Sequence, residues 1–370
     1  MAAGDRSPSE ARTFTDEQTG AAVRRVTDQA CIHHHPFYYL PAYDDAMRRL
    51  VFVSYRTGRA EVFCEERATG ELLQLTDCAE LAAFSVHPSY GGDYVYYCAG
   101  TRACRVNTET FEEQTLAEFG DVSMREAGMV GAAMGTTTLS GDDRYWAVPV
   151  RVGEVSRFYV IDTSSGGHEV ILEANSIGHP QFHPTDHTLL RYAKGFDERI
   201  WVVNRDGTGN RLVYERDAAA REWIVHEMWR PGSREIITTR WPRGCIGIDV
   251  DTGAVRRVTD FNAWHPVINR AGTLMCADTV YPDIGLQLFD PLDGVGEPRA
   301  LCLTRSSNEG KHWDTDHCPY DDEDFKAGTR QVYAPQHTHP HPSFSPDGRL
   351  VVFTSDCGGH SQVYEVAVTV

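Results

Sequence analysis

Long apolar runs are missing from this sequence, which has no uninterrupted stretch near the roughly 18 residues that a membrane-spanning helix requires. Its first residues, Met1 to Gln18, also lack the apolar core of a secretory signal. We therefore predict a cytoplasmic protein without a membrane partner.

Several motifs of catalysis and cofactor binding are missing as well. There is no GxSxG nucleophile elbow, no Walker A loop and no GxGxxG fingerprint. These absences argue against a peptidase-type propeller hydrolase, a P-loop NTPase and a dinucleotide-binding enzyme. The acidic run Asp321 to Asp324 lacks the glycine and the ligand spacing of an EF-hand, so we predict a solvated loop face there.

Positive charge is scarce. The chain has 35 Lys and Arg against 53 Asp and Glu, a formal net charge of −18, so its overall field repels polyanions. We therefore predict no nucleic-acid partner. The ten cysteines are scattered without CxxC spacing, which predicts buried, reduced thiols rather than a disulfide framework or a cysteine zinc site.

Repetition is the dominant feature that is present. A strand, an Asp/Gly-type turn and a β-branched or aromatic strand recur seven times, with the clearest copy at His341 to Asp356. The weaker copies are Tyr39 to Ser54, Phe84 to Cys98, Thr138 to Val150, His179 to Tyr192, His226 to Trp241 and His265 to Asp278. Second strand pairs follow at Val62 to Thr76, Phe158 to Leu172, Ile200 to Val213 and Ile248 to Thr259.

Four strands in each of seven units predict an all-β fold, a seven-bladed β-propeller. We expect a single propeller domain over residues 12–370 and a flexible segment over residues 1–11. Residues 304–335 form a polar, acidic insertion within the propeller, predicted to be a loop and a candidate lid.

The two ends of the chain are predicted to close the ring. Gln362 to Val370 supplies a third strand for the last unit, but no fourth strand follows it. Glu17 to Asp28 resembles Asp251 to Asp260, which ends an internal unit, so we expect the N-terminal segment to complete the last blade. This pairing would remove exposed sheet edges.

Histidines near the heads of the first strands are the main candidates for chemistry, because those strands surround the axis of a propeller. They are His87, His179, His226, His265, His339 and His341. His339 and His341 are two residues apart on an extended segment, so their side chains share a face. With one further imidazole and an amide oxygen they would suit Mn²⁺, Fe²⁺, Ni²⁺ or Zn²⁺; packing at a channel mouth is the structural alternative.

His226 and Arg199 each permit two interpretations from the sequence. His226 could be a general base, since imidazole accepts protons near neutral pH, or a structural histidine with satisfied hydrogen bonds. Arg199 could bind a substrate carboxylate with two hydrogen bonds, or form a surface ion pair with Asp197 or Glu198.

The chain resembles the oligogalacturonate lyases of polysaccharide lyase family 22, which are similar to TolB-type propellers. The resemblance rests on QHTHPHPSFSPDGRLVVFTSD at Gln336 to Asp356, Gly-His-Pro at Gly178, His-Glu-x-Trp at His226 and the His-Pro of His265. It runs from about Phe14 to Tyr364 and is strongest in the last unit.

The resemblance implies β-elimination of short oligogalacturonides with bound Mn²⁺ in the cytoplasm. It implies metal ligands at His265, Gln336, His339 and His341. It also implies a base at His226, which would abstract the C5 proton, and an active-site arginine at Arg199. His179, Lys194 and Arg240 are the further residues that we predict to bind the substrate, since a chain of net charge −18 needs local positive charge to hold a uronate oligomer.

The sequence departs from the family pattern in two places. Ala193 to Phe196 replaces a His-Glu-Gly-Pro segment, and His33 to Tyr39 carries three histidines before its aromatic residues instead of one. These departures leave open a different uronate substrate. The alternatives are a noncatalytic, TolB-like binding propeller and another metal enzyme on the same scaffold. The sequence predicts no oligomeric state.

Overall fold

Seven antiparallel sheets, arranged as the blades of a propeller, make up the described part of the chain. The structure is a computed structural model that describes residues 1–120, 135–292, 296–308, 316–327, 329 and 336–368. In blades two to six the strands follow outwards from the inner edge in chain order, whereas the outer edges of blades one and seven carry strands from the N-terminal segment. The predicted seven-bladed, all-β fold is confirmed.

The first three blades contain residues from the N-terminal part of the chain. Blade one contains β1 (Arg6–Ser7), β4 (His33–His34), β5 (Arg49–Ser54), β6 (Glu61–Glu66) and β7 (Leu72–Gln74). Blade two contains β8 (His87–Pro88), β9 (Tyr94–Ala99), β10 (Arg102–Asn107) and β11 (Glu113–Glu118). Blade three contains β12 (Thr138–Leu139), β13 (Tyr145–Val152), β14 (Val155–Asp162) and β15 (His168–Ala174).

The remaining blades follow in order around the axis. Blade four contains β16 (Gly178–Phe182), β17 (Leu189–Ala193), β18 (Ile200–Asn204) and β19 (Arg211–Tyr214). Blade five contains β20 (Trp223–Trp229), β21 (Glu235–Trp241), β22 (Cys245–Asp249) and β23 (Val255–Thr259). Blade six contains β24 (Pro266–Ile268), β25 (Met275–Ala277), β26 (Leu286–Phe289) and β27 (Arg299–Cys302). Blade seven contains β2 (Arg12–Thr15), β3 (Ala22–Arg25), β28 (Ser343–Phe344), β29 (Leu350–Ser355) and β30 (Gln362–Ala367).

Helical turns occur only between strands in the described ranges. They are the 3₁₀ turns Ala83–Ser85, Pro319–Asp321 and Gln336–Thr338 and the short helix α1 (Glu323–Lys326). No helix in this part of the chain has the length and apolar character to cross a bilayer. All ten cysteines are free thiols, eight of them buried, as their spacing predicted.

The turn of the clearest repeat shows why these segments form hairpins. Asp347 accepts hydrogen bonds from the Ser345 hydroxyl at 2.6 Å and the Arg349 amide at 3.1 Å, and Gly348 has φ +70°. A left-handed residue next to a side-chain-capped turn favours Gly and Asp at these positions. The strand after this turn, Leu350–Ser355, is buried on both faces, with Val351 and Phe353 in one apolar cluster and Val352 in another.

Blade seven is built from both ends of the chain. Strand β3 pairs antiparallel with β30, with Val23 opposite Val366 and Arg25 opposite Tyr364. Strand β2 extends the same sheet by pairing with β3. The fourth strand is thus N-terminal, within the predicted Glu17 to Asp28 segment, and β2 is a fifth strand that the sequence did not predict.

Two features of the first blade differ from the prediction. Its inner strand is His33–His34, paired with Ser54 and Val53, whereas we expected the hairpin to begin at Tyr39. Tyr39 instead belongs to the long loop between the two strands. Residues 1–11, expected to be flexible, contribute β1, which pairs with Leu72 and Leu73 because its backbone satisfies the outer edge of the blade.

A cavity lies at the ends of the inner strands. This cavity has a volume of about 400 Å³, and its lining includes six aromatic residues, four prolines and the Asp45–Arg270 ion pair. Residues Phe37, Tyr38 and Tyr39, here called the aromatic plug, enter the axis from the blade-one loop. Tyr38 and Tyr39 line this cavity and also contact histidines from the starts of inner strands.

Candidate metal centre and active site

Three histidines from blades six and seven converge at the starts of the inner strands. Ligand atoms of His265, His339 and His341 all lie within 4.8 Å of one another, and this group could hold a metal ion. The residues are only 1%, 1% and 4% exposed. Sequence positions more than 70 residues apart meet here because each inner strand begins at the same end of the axis.

Asp278 holds two of these histidines in place. Its carboxylate accepts a hydrogen bond from the His265 backbone amide and one from its ring Nδ1, both at 2.7 Å, and a third from the His341 amide at 3.2 Å. A carboxylate on Nδ1 leaves the other ring nitrogen of His265 for a ligand bond. Sequence reasoning missed this residue, although Asp278 ends the sixth hairpin as Asp356 ends the seventh.

The donor set fits a divalent cation of intermediate softness. Nε2 of His341 is buried and has no hydrogen-bond partner within the described ranges. Gln336 is 5% exposed and begins the turn that leads to the two histidines, since its carbonyl accepts the His339 amide at 3.1 Å. Imidazole nitrogens with an amide oxygen suit Mn²⁺, Fe²⁺ or Zn²⁺. The assignment of these four residues as ligands remains a prediction.

His226 lies directly beside this cluster. Its ring centroid is 4.2 Å from that of His265, and its Nδ1 donates to the Trp264 carbonyl at 2.6 Å. That hydrogen bond places the proton of neutral imidazole on Nδ1, which leaves Nε2 as the basic nitrogen. Burial, followed by the proximity of His265 and Arg199, lowers the pKa of His226 well below its ordinary value.

A buried carboxylate positions the arginine that the sequence predicted. Glu227 accepts a hydrogen bond from Nε of Arg199 and one from Nη1 of Arg191 at 3.3 Å. Arg199 is 4% exposed, so the surface ion pair allowed by the sequence is not formed. Its Nη1 is buried and, among the described residues, has no hydrogen-bond partner. Glu227 and Arg191 were not predicted; a lone arginine in the apolar strand Leu189–Ala193 was the available signal.

His179 comes to the same region from blade four. It is 3% exposed, and neither ring nitrogen has a hydrogen-bond partner in the part of the chain that is described. Its ring contacts Phe37 and Tyr39 of the aromatic plug at centroid distances of 5.2 and 6.2 Å. Burial, then the charges of Arg199 and Arg191, lower its pKa well below the ordinary value.

Backbone strain coincides with this group of histidines. His179, His226 and His341 have φ of +48°, +56° and +48°, a conformation that costs energy for residues other than glycine. The pairing register of β16 and of β20 shifts around the first two positions. Such bulges re-aim side chains, so the strain turns these imidazoles toward the axis.

Lys194 and Arg240, also predicted to bind substrate, have their charged groups engaged elsewhere. The Lys194 ammonium lies 3.5 Å from the ring centroid of Trp201. Arg240 forms an ion pair with Glu222 at 2.6 Å. Neither residue contacts the histidine cluster in the described interactions, and their role in substrate binding stays a prediction.

The aromatic plug completes the site from the axis. The ring of Tyr38 contacts His265, His226 and His341 at centroid distances of 5.2, 5.8 and 5.9 Å. Its hydroxyl is buried and lacks a partner within the described residues. The unusual His33 to Tyr39 segment was the sequence signal for this region, but no individual residue in it was predicted.

A family model described as oligogalacturonate lyase matches residues 1–370 of this chain. The oligogalacturonide lyase of Pectobacterium atrosepticum (strain SCRI 1043) is 26% identical over 397 aligned positions, covering 98% of this chain and 97% of that protein. The oligogalacturonate lyase of Dickeya dadantii (strain 3937) is 26% identical over 388 positions, with the same coverage.

Solved structures share the fold over the whole chain. An oligogalacturonate lyase in complex with manganese has a TM-score of 0.80 and 24% identity, covering 100% of this chain and 99% of that one. The oligogalacturonate lyase of Vibrio parahaemolyticus also has a TM-score of 0.80, with 22% identity and the same coverage. At these identities the structural likeness establishes the propeller fold.

Proposed function

The chain belongs to the oligogalacturonate lyase family, and we propose that it cleaves short oligogalacturonides by β-elimination with a bound divalent metal, Mn²⁺ being the first candidate. The observation that carries this proposal is the buried group His265, His339 and His341, whose ligand atoms lie within 4.8 Å of one another. The manganese bound by a protein of the same fold supports the choice of ion.

Gln336 would complete the ligand set as an amide oxygen donor. When bound here, a divalent cation would supply Lewis-acid stabilisation of the negative charge that develops on a uronate carboxylate as its neighbouring C–H bond breaks. The carboxylate of Asp278 would keep His265 and His341 in the orientation that ligation needs, since it contacts both.

His226 would act as the general base. Its Nδ1 donates to the Trp264 carbonyl, so Nε2 is the nitrogen able to accept the C5 proton of the uronate. The C4–oxygen bond would then break, the electron pair of the C5–H bond would form the double bond between C4 and C5, and the glycosidic oxygen would leave with a proton taken from water. This role rests on tautomer and position, because the Trp264 contact holds the ring beside the candidate metal ligands.

Arg199 would bind a carboxylate of the substrate, either that of the sugar that loses its C5 proton or that of the adjacent sugar. Glu227 fixes its Nε, while its buried Nη1 has no partner in the described residues and is available for a charge-assisted hydrogen bond. Arg191 shares the Glu227 carboxylate and so maintains an excess of positive charge around a single acid. His179, with two unpartnered ring nitrogens, would provide a further polar contact to the sugar.

Local positive charge would allow a protein with a formal net charge of −18 to bind a polyanion. Two arginines surround one glutamate in the buried site, and the cation would add further positive charge. The reaction is proposed for the cytoplasm, in keeping with ten unpaired thiols.

The test is the ultraviolet absorbance of the 4,5-unsaturated uronate product. Mn²⁺-loaded protein is incubated with digalacturonate or trigalacturonate, beside a chelator-treated sample and a sample reloaded with Mn²⁺. We expect product with the loaded and reloaded protein and none after chelation. Metal binding without product from any galacturonide would refute the proposed substrate and direct the search to other uronates, with Ala193 to Phe196 as the first segment to change.

A further inference from the structure

The candidate site is buried, so the segments packed around it limit the space for a substrate. Arg199, His226, His265 and His341 are all less than 7% exposed. On the side of blades four and five, the described segment that packs over the site is residues 316–327, here called the strap. The strap is a described part of the 304–335 insertion, and its contacts show how this part packs against the propeller.

A tryptophan cluster anchors the strap at Cys318. The Cys318 side chain is fully buried in one apolar cluster with Trp223, Trp241 and Trp264. Its backbone amide donates to the Arg221 carbonyl at 2.8 Å. The Trp264 backbone carbonyl accepts the His226 hydrogen bond, and the Trp264 ring lies 4.4 Å from the His226 ring, so the strap packs against a residue that supports the proposed base.

Two ion pairs hold the next residues of the strap. Arg216 donates two hydrogen bonds to Asp321, at 2.9 and 3.0 Å, and a third to Asp197. Arg221 pairs with Asp322. Burial lowers the pKa of Arg216, but the hydrogen bonds to Asp321 and Asp197 outweigh that effect and raise it. The acidic run predicted as a solvated face therefore uses its first two carboxylates to fasten the strap.

Tyr320 lies between these anchors and stacks on Phe196. Their ring centroids are 4.0 Å apart with an interplanar angle of 12°, so no sugar ring fits between them. Phe196 in turn faces the Arg199 guanidinium, whose carbon is 5.4 Å from the ring centroid. Phe196 thus contacts both the strap and the arginine proposed to bind a carboxylate. We call Phe196 and Tyr320 the aromatic wall.

The order of strands places Arg199 farther from the axis than the histidines, and the aromatic wall contacts Arg199 there. The histidines of the candidate metal centre come from the starts of inner strands, whereas Arg199 immediately precedes β18, the third strand of blade four. Phe196 belongs to the loop before β18. A uronate chain running from the histidines past Arg199 would therefore meet Phe196 and Tyr320.

We propose that Phe196 and Tyr320 determine the chain length of the substrate by ending the binding cleft next to Arg199. The inference rests on the proposed function of this site. A sugar whose carboxylate binds Arg199 would be the last one accommodated on that side, because the stacked rings occupy the space for another. The strap would hold Tyr320 in this position through Cys318, Asp321 and Asp322.

The experiment compares galacturonides of two to six sugars in the Mn²⁺-loaded protein and in Tyr320→Ala. We expect kcat/KM for tetramer and longer chains, divided by that for dimer, to rise about tenfold or more in Tyr320→Ala. Tyr320→Phe keeps the stacked ring and should keep the original ratio. Tyr281→Ala removes an exposed aromatic ring from the blade-six loop between β25 and β26, and should also leave the ratio unchanged.

Binding separates this inference from the proposed reaction. The same chain lengths are titrated calorimetrically into His226→Ala and into His226→Ala with Tyr320→Ala. A relaxed length dependence of binding, with no elimination by the unmodified protein, would refute the lyase reaction and support the aromatic wall. An unchanged length dependence in both rates and affinities, in a folded Tyr320→Ala protein, would overturn the wall whether or not the protein is a lyase.

Discussion

Two clusters of charged residues, each built around buried carboxylates, differ in whether their polar atoms have partners. The closing network joins blades one and seven and consists of Arg24, Arg67, Tyr43, Glu65 and Glu365. In it Glu365 accepts from Tyr43 at 2.6 Å and from Arg24 at 2.7 Å, and Glu65 accepts from Arg67 at 2.6 Å and also from Arg24. The axial site, in contrast, contains Arg199 Nη1, His341 Nε2 and both nitrogens of His179 without described partners.

The difference separates a stabilising role from a binding role. A buried polar atom without a partner costs about 1–3 kcal/mol, so several together at one place destabilise the protein unless a ligand binds them. The closing network avoids this cost by pairing two guanidinium groups and a phenol with two carboxylates. It ties the N-terminal strand to the C-terminal one at the joint of the ring.

Backbone geometry follows the same division. Three histidines of the axial site have positive φ, whereas none of the five residues of the closing network does. Strain of this kind is found where structure serves binding or catalysis. Hydrogen-bonded polar groups on unstrained strands indicate a stabilising role. Polar groups without partners on strained strands indicate a ligand-binding site.

The largest effect should come from removing a candidate ligand. His339→Ala should abolish metal binding and lower kcat/KM by about 10³-fold or more, because loss of the cation removes several kcal/mol of charge stabilisation. Metal content by mass spectrometry and product absorbance measure this. The matched control is His87→Gln, a buried inner-strand histidine whose Nδ1 bonds the Pro88 carbonyl. Equal loss of metal from both variants would contradict the assignment.

The closing network should affect stability instead of activity. Glu65→Gln should lower the free energy of unfolding by about 2 kcal/mol, since the buried Glu65 carboxylate accepts charge-assisted hydrogen bonds from the partly exposed Arg24 and Arg67. Urea denaturation measures the change. Glu71→Gln breaks an exposed pair with Arg6 and should change stability by less than about 0.5 kcal/mol. A loss of kcat/KM in the folded Glu65→Gln protein would contradict the assignment of the closing network to stability alone.

A smaller effect should follow from loosening the ligands without removing one. Asp278→Asn should weaken metal affinity by about 10–100-fold, because it perturbs the hydrogen bonds that orient His265 and His341. Competition with a fluorescent chelator measures the affinity. Asp283→Asn, in the adjoining blade-six loop, is the control. The role given to Asp278 fails if both variants keep the affinity of the unmodified protein.

Local patterns predicted most of the fold. Six of the seven predicted hairpins contain the first two strands of a blade, because their turns carry strong Asp/Gly or Pro signals. In blade one the inner strand, His33–His34, is two residues long and lies far from its partner in sequence, so no periodic pattern marked it. The outer pairs of blades two and six were also missed.

The site was predictable to the extent that its residues are unusual by type. Histidines at strand starts indicated the cluster, and the resemblance selected three of them and Gln336 as candidate ligands. Asp278, Glu227 and Tyr38 could not be found in this way, since their importance depends on contacts between segments distant in sequence. For the same reason the sequence could not show that Lys194 and Arg240 contact Trp201 and Glu222.

The central claim is that His226 acts on the substrate while His265, Gln336, His339 and His341 hold the metal. The most direct test measures metal content and elimination rate together in His226→Ala. The account predicts one bound metal per chain, as in the unmodified protein, with elimination slowed by about 10²–10⁴-fold. Loss of the metal from His226→Ala would make His226 a ligand and contradict the account.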